Sequence, residues 1–130
     1  MIVLDASAAL EILLGTDAGE ALRERILGRP DRLAAPHLLD VEVAHVLRRY
    51  ERAHELAAQR AQMALAALAD MPIARYSHTP LLPRTWQLRA NLTAYDAIYV
   101  ALAETLDVPL LTRDAKLAAA PGHRAKVEIF

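Results

Sequence analysis

The chain has 130 residues, a net charge of −1 and no cysteine. Its 55% apolar and 24% charged residues suit one folded domain over residues 1–130 rather than a disordered chain, and the missing cysteines exclude disulfides and thiolate metal sites. No stretch reaches the roughly 18 uninterrupted apolar residues of a membrane span, and the charge leaves no broad basic face for indiscriminate duplex binding.

The start, "MIVLDASAALEILL", has no basic leader and carries Asp5 and Glu11, so it does not read as a signal peptide, and a cytoplasmic protein is expected. Ile2, Val3 and Leu4 form a short, wholly apolar run with the pattern of a buried strand. Residues 7–14 follow with helical spacing up to Gly15, and 17–27 form a second amphipathic helix ended by Gly28 and Pro30. Residues 33–35 are a weak strand before Pro36. Helices are expected over 38–52 and 55–70; Pro72 breaks the second, and 73–75 read as a third strand. Residues 82–90 and 93–106 read as helices, 109–112 and 127–130 as the last strands. Short apolar strands alternating with longer helices imply a parallel sheet covered on both faces, a three-layer α/β/α fold. In such sheets ligands sit beyond the carboxyl ends of the strands, where Asp5 and Asp114 fall.

Four carboxylates stand out. Asp96 lies in "LTAYDAIYVALAE", and residues 90–112 hold no Lys, Arg or His to neutralise it. "TAYD" also fits a capping box with Thr93 as N-cap, where an acid gains about 0.5 kcal/mol from the helix dipole. Asp5 and Asp114 each follow a strand and precede a helical segment, so each can equally be a cap, as can Ser7. Glu42 lies mid-helix in "HLLDVEVAHVLRR", with Leu38, Leu39, His45 and Val46 at its helical neighbour positions and no Lys or Arg partner among them. A Glu on an apolar face must be paired, protonated or metal-bound, unless it reaches solvent from the helix edge. Asp40 reads as a helix-start acid and Asp107 as a turn residue.

"IVLDASAAL", "APHLLDVEVAHVLRR", "LTAYDAIYVALAE" and "PLLTRDAKLA", in that order and nearly spanning the chain, resemble the PIN-domain ribonucleases, and most of all the VapC-type toxins of toxin–antitoxin pairs. The resemblance implies a short central parallel sheet covered by helices. It also implies a site of Asp5, Glu42, Asp96 and Asp114, with Ser7 and Thr112 in support. Asp5, Asp96 and Asp114 would hold Mg²⁺ (or Mn²⁺), while Glu42 would be a further ligand or orient water. Carboxylates gathered this way repel by about 4 kcal/mol per pair ~4 Å apart at an effective dielectric near 20, which a hard divalent cation relieves. The activity implied is hydrolysis of an RNA phosphodiester by a metal-activated water, leaving a 5′-phosphate and a 3′-hydroxyl. A cognate antitoxin and a homodimer are implied as partners. Arg48, Arg49 and Arg113, with Arg52, are candidates for the RNA backbone, although most exposed arginines are simply solvated. The apolar segment 62–71 faces either the core or a partner.

Three alternatives stay open. A haloacid-dehalogenase-like phosphatase also places acids and Mg²⁺ at strand ends, but "DAS" lacks its second acid and Lys116 and Lys126 come late. "EVAH" at 42–45 suggests a di-iron motif without the second copy that chemistry needs, so His45 reads as a partly buried polar or interface group. A catalytically inactive antitoxin-binding module would carry the same acids and cut nothing.

Overall fold

The computed structural model describes residues 1–28 and 32–130. The proposed helix end at Pro30 lies outside the described residues; Gly28 does close its helix, accepting no left-handed turn but donating its N–H to the Glu24 carbonyl at 2.8 Å.

Five short strands form one all-parallel sheet: β1 (Ile2–Leu4), β2 (Leu33–Pro36), β3 (Ile73–Tyr76), β4 (Leu110–Thr112) and β5 (Val127–Ile129), in the spatial order β3-β2-β1-β4-β5. The three inner strands are buried throughout, which is why they read as unbroken apolar runs rather than as alternating ones. Val3 pairs with Ala34 on one side and Leu110 on the other. The chain winds outward from β1 to β3, then returns to β4, so the order reverses between β1 and β4. That switch point is where open parallel sheets leave a crevice at their carboxyl ends.

The helices are α1 (Ala6–Leu14), α2 (Asp17–Leu27), α3 (Leu38–Arg52), α4 (Ala58–Asp70), α5 (Leu82–Gln87), α6 (Ala94–Leu106) and α7 (Ala115–Ala119). α1 packs on α2, α3 and α4, while α5 packs on α6, which also lies against β1, β2 and β4. Residues Ala97 to Ala103 of α6 are all buried. A helix apolar around its whole circumference belongs inside, and the alanines let it approach the sheet. α1 and α2 are as close: a Cβ at Gly19 would stand 1.9 Å from the Glu11 carbonyl oxygen, so only glycine fits there.

Three boundaries differ from expectation. The helix expected from 55 begins at Ala58, because α3 runs out at Ala53 and His54 takes a left-handed turn (φ 58°). The helix expected over 82–90 stops at Gln87 and is preceded by a 3-10 turn, Thr79–Leu81. α1 starts one residue early because Asp5, not Ser7, is its cap. Asp107 is a turn residue as expected, closing α6 at φ 53°.

Candidate active site

Asp5 follows β1 directly and caps α1: its Oδ1 accepts from the Ala8 amide (3.0 Å) and from the Ser7 hydroxyl (2.6 Å). Ser7 Oγ in turn accepts from the Arg113 amide at 3.1 Å, tying the end of β1 to the end of β4 across the switch point. Thr112, wholly buried at the end of β4, accepts from the Asp114 amide (3.0 Å) and hydrogen-bonds Asp5 as well. Asp114 caps α7 through the Lys116 amide (2.9 Å). Asp96 sits in the first turn of α6 behind its N-cap Thr93, whose Oγ1 accepts from the Asp96 amide. The capping readings of Asp5, Asp114 and Thr93 therefore hold, and they do not compete with a site: strand-end caps are what aim these groups at the crevice.

Glu42 is the member that nothing local explains. It is half-buried on α3, and its Oε1 accepts a 2.6 Å hydrogen bond from the Tyr99 hydroxyl on α6. Tyr99 is the residue that sequence reasoning missed. The available signal was its spacing three residues after Asp96, which puts both on one helical face.

The electrostatics bind these groups into one neighbourhood. Burial, first of all, pushes the Asp5 carboxyl up against the pull of its hydrogen bonds from Ser7, Thr112, Ala8 and the Ser7 amide. Burial also raises Glu42; the Tyr99 bond draws it down, and the charges of Asp96 and Asp5 push it up again. Asp96 is raised by burial, then by Asp114 and Asp5. Among the described residues no Lys, Arg or His forms an ion pair with any of the four. The donors are all carboxylate oxygens with hydroxyls behind them, the chemistry that suits a hard divalent cation. They are not a preassembled cage, however: among the described residues, no three Asp, Glu or His side chains form a ready ligand group. Asp5, Glu42 and Asp114 each have one oxygen turned to a cap or to Tyr99.

The remaining candidates separate. Arg48, Arg49 and Arg52 are exposed on α3, with the Arg49 guanidinium 5.7 Å from the Tyr50 ring centroid. Arg113 is engaged within the chain: it pairs with Glu11 at 2.5 Å and lies 5.7 Å from the Phe130 ring centroid. His45 is exposed, not partly buried as expected, because Glu42 turns toward α6 and the histidine faces outward. Asp40 is a helix-start acid, bound by both its oxygens to Arg75 (2.8 and 3.0 Å). Segment 62–71 divides: Ala64 and Leu68 are buried while Met63 (64%) and Leu65 (42%) are exposed. An apolar groove of about 460 Å³, lined by Ile12, Leu13, Ile26, Leu27 and Met71 among others, lies apart from the acids.

The PIN domain family matches residues 2–122. Ribonuclease VapC1 of Mycobacterium tuberculosis is 47% identical over 128 residues, covering 98% of this chain and 96% of that protein. Ribonuclease VapC12 of the same species is 40% identical over 129 residues, 99% of this chain and 98% of that protein. The crystal structure of VapBC2 from Rickettsia felis bound to a DNA fragment from their promoter superposes with a TM-score of 0.75 at 12% identity, over 100% of this chain and 99% of that one, a likeness of fold.

Proposed function

Because the chain belongs to the PIN-domain family, among its VapC-type ribonuclease toxins, we propose that Asp5, Glu42, Asp96 and Asp114 form the active site of a metal-dependent endoribonuclease, one nuclease domain over residues 1–130. The observation that carries the reading is the charge coupling among acids from four separate segments near the sheet's switch point: Asp5, Glu42 and Asp96 are raised chiefly by burial, Glu42 also by Asp96 and Asp5, and Asp96 also by Asp114 and Asp5, without a cationic partner among the described residues.

Asp5, Asp96 and Asp114 would hold Mg²⁺ (or Mn²⁺). A bound divalent ion supplies positive charge for the departing oxygen and makes water more acidic. Ser7 and Thr112 steady the Asp5 carboxylate, Ser7 at Oδ1. Glu42 orients the attacking water through its free oxygen. Water oxygen bonds to phosphorus, the bond from phosphorus to the 3′ oxygen breaks, and the proton ends on that oxygen, giving a 5′-phosphate and a 3′-hydroxyl. The exposed Arg48 and Arg49 sit on the same helix as Glu42 and offer forks for the RNA backbone; Arg113, held by Glu11, serves the loop first.

The partner is a cognate antitoxin, in keeping with the toxin–antitoxin complexes among the fold's neighbours. The 460 Å³ apolar groove between α1, α2 and α4 fits an amphipathic segment of such a protein. A homodimer is also proposed. No helix among the described residues is long and apolar enough to cross a membrane, and a cytoplasmic site of action is proposed.

The test is cleavage of labelled structured RNA by purified protein. Cleavage should need Mg²⁺ or Mn²⁺, stop with EDTA, and vanish in Asp5→Ala and Asp96→Ala variants that still fold. Full activity in both variants would overturn the reading.

A further inference from the structure

Tyr99 donates to Glu42 from a helix that also carries Asp96, and three facts give that bond a purpose. The first is that Glu42 has no local support. Asp5 and Asp114 are each steadied by the turn that they begin, through the Ala8 and Lys116 amides, and Asp96 sits in the first turn of α6 with its own amide bound to Thr93. Glu42 is mid-helix, and the Tyr99 hydroxyl is its one hydrogen bond from the protein among the described residues. The second is that Tyr99 cannot easily move. It is 3% exposed, within a wholly buried stretch of α6, so its hydroxyl is a fixed point rather than a mobile surface group. The third is economy of placement: Asp96 and Tyr99 lie on one face of one rigid helix, so any shift of α6 carries an acid of the site and the anchor of Glu42 together.

We propose that Tyr99 is a positioning residue that holds Glu42 Oε1 and so presents only Oε2 to the reacting water; the proposal rests on the function proposed above for this site. With Oε1 held by Tyr99, Oε2 is the oxygen left to face the reacting water, which favours a water-orienting role for Glu42 over a grip on an ion by both oxygens. The phenol ring itself belongs to the core, so ring and hydroxyl have separable tasks.

Tyr99→Phe keeps the ring and removes the hydroxyl. Losing an outer hydrogen bond to a site carboxylate typically costs 10–100-fold in activity, and kcat is expected to fall by about that factor while KM for RNA stays within about twofold. Combined with Glu42→Gln, the substitution should add nothing to the loss caused by Glu42→Gln alone, because the hydroxyl acts only through that carboxylate. A hydroxyl that merely stabilised the core would lower the melting temperature equally with or without Glu42 and leave kcat of the folded protein intact; that pattern, or additive losses, overturns the proposal. The link is also read without any change at position 99. In protein labelled with ¹³C-tyrosine, Glu42→Ala should shift the Tyr99 Cζ resonance, and an unmoved resonance overturns the proposal even if Tyr99→Phe fails to fold. If the wild type cleaves no RNA, the endoribonuclease reading fails by itself, and the resonance still decides whether Tyr99 holds Glu42.

Discussion

The Asp114 carboxylate stands close enough to Asp96 for its charge to be, after burial, the largest influence raising the Asp96 pKa. One group ends the turn after β4 and the other opens α6, so the fold itself sets two like charges face to face. Such a pair weakens the folded state whenever both are ionised, a cost that a catalytic site bears and a purely structural one has no reason to keep.

The pH dependence follows in sign. Asp5, Glu42 and Asp96 are all raised in the fold, chiefly by burial, above the ordinary values of 3.8 and 4.5 at which they titrate in the unfolded chain. Each then binds its proton more tightly when folded. Its ionised form costs stability above the raised value, and the cost fades as pH falls through that value toward 3.8–4.5. Without divalent ions, the stability penalty from these three acids should therefore shrink as pH falls from 7 toward 3.8–4.5. Asp96→Asn should gain on the order of 2 °C at pH 7 and progressively less at lower pH. Calorimetric scans in which the Asp96→Asn gain does not shrink over this range would contradict the account.

Asp5 has two duties, and two substitutions separate them. Asp5→Ala removes both the cap of α1 and the site oxygen, and the lost cap alone should cost about 1 kcal/mol. Asp5→Asn keeps an acceptor for the Ala8 amide, so it should unfold at nearly the wild-type denaturant concentration. Both should lose RNA cleavage by on the order of 10²-fold or more. Asp5→Asn that still cleaves at the wild-type rate would remove Asp5 from the chemistry.

What the sequence made legible has a physical pattern. The inner strands and α6 were readable because complete burial writes an unbroken apolar run, and Asp5, Thr93 and Asp114 because caps have fixed offsets from the elements that they open. The ordered motifs added the proposal that the four acids act together, which periodicity alone does not give. Boundaries at His54 and Leu88 escaped because a left-handed turn at a non-glycine residue and an early helix stop leave little compositional mark. Tyr99 escaped because a tyrosine in a buried helix looks like core until its hydroxyl has a partner 57 positions away. His45 misled for the opposite reason: a Glu-x-x-His spacing does not say that both side chains face the same neighbour.

Glu104 offers a stability test distant from the acids. Its side chain is 2% exposed and accepts from Arg84 at 2.7 and 3.1 Å and from the Arg124 amide at 2.8 Å, joining α5, α6 and the approach to β5. The hydrogen bond from Arg84, foremost, holds its pKa below the usual 4.5. A lowered carboxyl contributes stability above 4.5 and loses it as pH falls through the folded value. Glu104→Ala should cost about 1–2 kcal/mol at pH 7, because it removes a buried carboxylate and its charge-assisted bonds while the partly exposed Arg84 keeps Gln87 and the Gly122 carbonyl, and the deficit should shrink as pH falls below 4.5. Denaturant titrations at pH 7 and pH 3.5 check it; an equal deficit at both would show that the ion pair is not its source.

α3 lacks a side-chain cap of its own, since His37 makes none, and the acceptor comes instead from His78 after β3, whose Nε2 receives the Leu38 amide at 2.8 Å. The first turn is tied a second time where Arg75 on β3 grips Asp40. These two bonds fix the start of the helix whose next turn carries Glu42. His78→Ala should therefore cost about 1 kcal/mol, in the range of a lost N-cap, and should speed hydrogen exchange at Leu38 and Leu39 more than at Leu47. Cleavage should fall much less than in Asp5→Asn, because the Tyr99 bond still holds Glu42 from the other side. Unchanged exchange at the start of α3 would mean that the Arg75–Asp40 pair alone secures the helix. A loss of cleavage equal to that of Asp5→Asn would instead make the placement of α3, and not the Tyr99 bond, the control on Glu42.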